Sequence, residues 1–142
     1  MLLGGVKKTF FTPFLLPLQR LLNFTNIQQS IFTKGTKPMS NFTNVTITKN
    51  ANIYFDGKVT SRTITFADGS KKTLGIMLPG EYTFNTDAKE LMEILAGDLQ
   101  VQLQGEQEWR TYGADSAFEV PAKSSFNLKV AAVTDYCCSF LQ

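Results

Sequence analysis

From residue 44 onward the chain alternates short runs of β-branched and aromatic residues with clusters of turn formers. Val45-Thr46-Ile47 is followed by Asn52-Ile53-Tyr54-Phe55 and the turn Asp56-Gly57. The run 59–66 ends at Asp68-Gly69, and the run 73–78 ends at Pro79-Gly80. Runs at 81–84, 91–95, 99–103, 109–112, 117–120, 125–130 and 135–141 complete the series. Such short runs read as strands, and the Asp-Gly and Pro-Gly pairs as tight hairpin turns. About ten or eleven strands predict an all-β domain, a sandwich or a barrel. Only 87–92 suggests a helical turn. The body shows no internal repeat.

The first 38 residues follow another pattern. They hold Lys7, Lys8, Arg20, Lys34 and Lys37 and no acid, a net of +5, and are rich in Phe, Leu and Thr. Residues 39–142 hold the other nine basic residues and all twelve acidic ones, a net of −3. The chain therefore divides into a poorly structured N-terminal extension, 1–38, and a folded body, 39–142. Three readings of the extension compete: a start codon taken too early, with Met39 as the working start; an organelle-type presequence; and a membrane-surface segment around 14–22. Pro13 and Pro17 break its apolar run, which argues against a secretory signal.

At 142 residues, with 43% hydrophobic and 18% charged residues, the chain suits one soluble domain. No apolar run is long enough for a membrane helix. A mildly acidic body lacks the clustered cations that nucleic acid requires, so neither nucleic acid nor membrane is an expected partner. There is no histidine. That excludes Ser-His-Asp and Cys-His hydrolases and His-ligated metals. The two cysteines, Cys137 and Cys138, are adjacent and have no third to pair with. A reduced, cytoplasmic setting follows.

The stretch 75–97 can be laid over the first motif of the cupins, small jelly-roll β-barrels. Gly75 is followed by five residues and Glu81-Tyr82-Thr83, and Glu90 by six residues and Gly97. The second motif falls on Gly113, Pro121 and Phe126. The cupin metal positions thus read Glu81, Thr83, Glu90 and Phe126. That set is a poor transition-metal site, since imidazole supplies most such ligation. The overlay predicts a single-domain cupin barrel without its metal, with a polar lumen and aromatic walls.

Four strings carry a closer resemblance: Asn52-Ile53-Tyr54-Phe55-Asp56-Gly57-Lys58-Val59, the run from Gly75 through Glu81 to Phe84, Glu90-Leu91-Met92-Glu93-Ile94-Leu95-Ala96-Gly97, and Phe118-Glu119-Val120-Pro121. Together they resemble the small cupin family of pyrimidine/purine nucleoside phosphorylases, over about residues 42–142. The resemblance implies a broad-specificity pentosyltransferase. It would split nucleosides with inorganic phosphate into a free base and α-D-ribose 1-phosphate, as a homodimer with no metal or other cofactor. Two alternatives stand beside it: a non-catalytic, metal-free cupin that binds a sugar or nucleoside, and a metal-independent sugar isomerase or epimerase.

Phosphorolysis needs donors for phosphate, an acid for the leaving base and a flat surface for the base. Arg62 and Lys72 are the expected phosphate ligands, Arg62 for its planar fork. Glu81 is the expected acid, with Thr83 beside it on the same strand face. Glu90 holds the motif carboxylate position as a substrate contact. Glu93 lies in an apolar run and faces away from Glu90, as an ion-pair member or a third catalytic residue. Tyr54, Tyr82 and Phe126 are the expected wall, and Phe55, Phe84, Phe118 and Tyr136 are divided between wall and core. With no imidazole to activate them, Cys137 and Cys138 read as packing rather than as nucleophiles.

Overall fold

The computed structural model describes residues 40–142, so the readings of residues 1–38 lie outside the described residues. The strands are β1 (Thr46–Ile47), β2 (Asn52–Tyr54), β3 (Val59–Thr65), β4 (Lys71–Met77), β5 (Gly80–Thr86), β6 (Lys89–Ala96), β7 (Asp98–Leu103), β8 (Arg110–Gly113), β9 (Ser116–Val120), β10 (Ser124–Val130) and β11 (Thr134–Leu141). A first sheet runs β1-β3-β4-β11-β6-β9, with β2 also paired to β3; a second runs β5-β10-β7-β8. Neighbours are antiparallel throughout. This is the expected all-β architecture.

Period-two alternation builds the core between the sheets. On β10, Phe126, Leu128 and Val130 are buried, while Asn127 and Lys129 face away. Leu99 and Val101 on β7, Met92 and Ile94 on β6, and Phe118 and Val120 on β9 repeat the pattern. Val59, Met77, Ile94, Leu99, Leu128 and Val120 are almost wholly buried. Each contributes about 1.5–3 kcal/mol by leaving water.

The hairpin at Asp68-Gly69 forms as expected. Asp68 Oδ1 accepts from Ser70 N–H (2.9 Å) and Ser70 Oγ–H (2.6 Å), and Gly69 N–H donates to Phe66 O (3.0 Å). Two local expectations are corrected. Residues 87–92 form no helical turn, because β6 begins at Lys89 and pairs with both β11 and β9. Pro79-Gly80 is no hairpin turn either: β4 lies in the first sheet and β5 in the second, so the chain crosses between sheets there. Phe55 leaves the expected strand for a short turn, Phe55–Gly57, between β2 and β3.

Candidate functional site

Between the sheets lies a cavity of about 140 Å³, lined by Tyr54, Ser61, Thr73, Met77, Phe84, Asn85, Glu90, Met92, Phe126, Tyr136, Cys138 and Phe140. Each sheet supplies a different chemistry. From the second sheet, Phe84 on β5 and Phe126 on β10 are register partners, and their rings stack at 5.7 Å with 22° between planes. Tyr54 meets Phe84 edge-on at 5.7 Å. From the first sheet come short polar groups. Ser61 on β3 and Thr73 on β4 point inward and are buried. Asn52 Nδ2 donates to Ser61 Oγ at 3.1 Å, and Ser61 in turn hydrogen-bonds the Tyr136 phenol. Tyr136 on β11 donates through its phenol to Thr60 O at 3.4 Å.

Among the described residues, Glu90 is the one carboxyl in the lining, and no Lys or Arg lines the cavity. It is the second residue of β6, between Phe140 of β11 and Val120 of β9. Burial pushes its carboxyl above the usual range. A hydrogen bond from the Cys138 thiol offsets part of that rise, and the nearby charge of Asp87 adds to it. Burial also raises the Tyr136 phenol and the Cys138 thiol, and Glu90 raises the thiol further. The lumen thus holds a carboxyl whose pKa burial raises, several hydroxyls and a flat aromatic wall. Such a carboxylic acid can donate a proton or a hydrogen bond.

Of the residues divided between wall and core, Phe84 and Tyr136 line this cavity, and of the nine expected site residues, Tyr54, Glu90 and Phe126 do. Six do not. Glu81 and Thr83 are exposed on the outer face of β5, correcting the expectation that they face the lumen. The inward positions of that strand are Tyr82, Phe84 and Thr86, because burying two aromatic rings outweighs burying a carboxylate. Thr83 donates to Asn127 Oδ1 (2.8 Å) on the same outer face. Tyr82 is core: its ring is buried and its hydroxyl donates to Leu78 O at 2.7 Å. Arg62 is exposed on the outer face of β3. Lys72, beside it on β4, sets its ammonium 5.6 Å from the Phe42 ring centroid. Glu93 also faces outward, opposite Cys137 in register. Burial, and then the Glu93 charge, push the Cys137 thiol up to about 11. Trp109 precedes β8, with Lys129 Nζ of β10 4.2 Å from its ring centroid.

The cupin metal positions do not form a metal site. Glu81 and Thr83 point away from Glu90, and Phe126 offers no donor atom. No group of three Asp, Glu, His or Cys that could hold a metal ion occurs among the described residues.

Comparison with known proteins fits this geometry. The family model described as pyrimidine/purine nucleoside phosphorylase matches residues 49–140. A protein of that name from Chlorobium chlorochromatii (strain CaD3) is 73% identical over 103 residues, covering 72% of this chain and 99% of its own length. Another, from Geotalea daltonii, is 66% identical over the same shares. A crystal structure from Acinetobacter sp. ADP1, a protein of unknown function (DUF1255), is 39% identical and superposes with a TM-score of 0.69, over 71% of this chain and 98% of its own. An RmlC-like cupin from Shewanella frigidimarina shares the fold at 14% identity, with a TM-score of 0.53 over 74% of this chain and 90% of its own. The fold is a cupin barrel.

Proposed function

The chain belongs to the pyrimidine/purine nucleoside phosphorylase family, and we propose that it cleaves purine and pyrimidine nucleosides with inorganic phosphate, releasing the base and α-D-ribose 1-phosphate. The observation that carries this reading is the 73% identity to a phosphorylase matched over nearly its whole length. The lumen supports it chemically. In this reading the base lies against Phe84, Phe126 and Tyr54, and the ribose hydroxyls meet Ser61 and Thr73. The Glu90 carboxyl, its pKa raised by burial, faces the bond that breaks. Phosphate displaces the base directly, and Glu90 donates to the base as negative charge develops on it. With no Lys or Arg among the described residues of the lining, phosphate is held in this reading by neutral donors: hydroxyls and the Asn85 amide.

The reading includes no metal and no cofactor beyond phosphate as co-substrate, a cytoplasmic location and a homodimer. The cupin metal positions support the first, since they do not converge. Ile76 and Leu95, exposed apolar residues on the outer face of the first sheet, support the last. A second reading, a metal-free module that binds a nucleoside without turning it over, is favoured by a lining whose described residues include no cation. One assay separates the two. Full-length protein is incubated with inosine or uridine, phosphate and a chelator. Release of base that requires phosphate and survives chelation supports the phosphorylase; nucleoside binding without release supports the module; release without phosphate means hydrolysis and refutes both.

A further inference from the structure

Tyr54 closes the outer side of the cavity, yet little of the backbone holds it there. It ends the three-residue strand β2, which pairs only with β3 among the described residues, and its side chain is 41% exposed. The next three residues all have left-handed backbone: Phe55 at φ 51°, Asp56 at 55° and Gly57 at 87°. That conformation is unfavourable for a residue with a Cβ, and an aromatic residue there is an outlier. Something must hold the turn. The Phe55 ring does so, packing at 4.9 Å on Tyr82 and at 5.2 Å on Phe84. Tyr82 is itself fixed by burial and by its hydroxyl's bond to Leu78 O. Lys58 N–H closes the turn on Phe55 O at 3.1 Å. The core thus holds Phe55 through Tyr82 and Phe84, and Phe55 fixes the backbone next to Tyr54, whose own ring meets Phe84; Phe55 does not itself line the cavity.

We propose that Phe55 is a positioning residue that holds Tyr54 as the outer wall for the nucleobase, so that the turn works as a clamp on the base. The proposal rests on the reading of the lumen as a nucleoside site. Backbone strain kept at a site by surrounding contacts is a recurring arrangement. A clamp that works by stacking grips in proportion to ring area, so a purine depends on it more than a pyrimidine does.

The test measures binding of inosine and uridine to the full chain by calorimetry, without phosphate, so turnover is not needed. Phe55→Ala should weaken inosine roughly tenfold and uridine less, which changes their affinity ratio. Phe55→Gly, which relieves the backbone but also lacks the ring, should behave alike. Phe55→Tyr should restore affinity, and Asp56→Gly, which keeps the ring, should bind as the unaltered protein does. Equal weakening of both nucleosides with a lowered melting temperature would mean a structural role only and overturn the clamp. Unchanged binding in both ring-deleted variants would overturn it too. If the unaltered protein binds neither nucleoside, the lumen reading fails and the clamp with it. Binding that is intact and indifferent to Phe55 sinks the clamp alone.

Discussion

Tyr136 lies flat against Gly75. The two are register partners on β11 and β4, and a Cβ built at residue 75 would sit 2.8 Å from the phenol ring and run into Thr60 O. The glycine makes the space that the tyrosine occupies, and the tyrosine lines the cavity. Gly75→Ala should therefore cost about 1–3 kcal/mol through overpacking and lower turnover by displacing Tyr136. Urea unfolding and a phosphorolysis assay on the same protein check both parts. A fully active, equally stable variant would refute the arrangement.

Glu90→Gln keeps the shape of the side chain and removes the proton it gives. Turnover should fall by about 10²–10⁴-fold, the range for a lost general acid.

The raised carboxyl of Glu90 also sets two dependences on pH. Its folded-state pKa lies above the unfolded one, so the folded protein binds the extra proton between the two values, and stability falls as pH rises through that window. Glu90→Gln should therefore melt higher than the unaltered protein at neutral pH, with the gain vanishing in acid. Turnover should decline as pH rises through the folded-state value. Melting curves and rate profiles across pH decide the matter; a profile with no such limb in the unaltered protein rules Glu90 out as the acid.

Glu81→Gln, Thr83→Val and Arg62→Ala change only outward-facing side chains and should keep turnover within about twofold and stability within about 0.5 kcal/mol, as surface substitutions usually do. A large loss in Glu81→Gln alone would move the chemistry from the lumen to the outer face of β5.

Both cysteines should resist alkylation. Cys137 and Cys138 are buried, and with a thiol pushed up to about 11, Cys137 is thiolate in only about one molecule per thousand at pH 8. Mass spectrometry after iodoacetamide treatment should find label only after denaturation.

Much of the fold was legible because alternation is a local signal. The pattern Glu81-Tyr82-Thr83-Phe84 already states which face is buried, polar then aromatic twice over. The motif overlay placed Glu81 and Thr83 inward against that pattern, and the pattern was the better guide. Glu90 was legible as a motif carboxylate and Phe126 as a lumen position. Ser61 and Thr73 were not, since a buried hydroxyl looks like any strand residue until its neighbours are known. Cys138 was legible only as packing: its link to Glu90 joins residues 48 apart in sequence, and no spacing rule reports it. The left-handed turn at Phe55 was hidden as well, because Tyr54-Phe55 reads as the end of a strand.

β11, the last strand of the chain, lies in the middle of the first sheet, between β4 and β6, and brings Tyr136, Cys138 and Phe140 to the cavity. β11 is thus the seam of the first sheet: take it away and β3-β4 share no ladder with β6-β9, and the chamber loses a phenol, a thiol and a ring at one stroke.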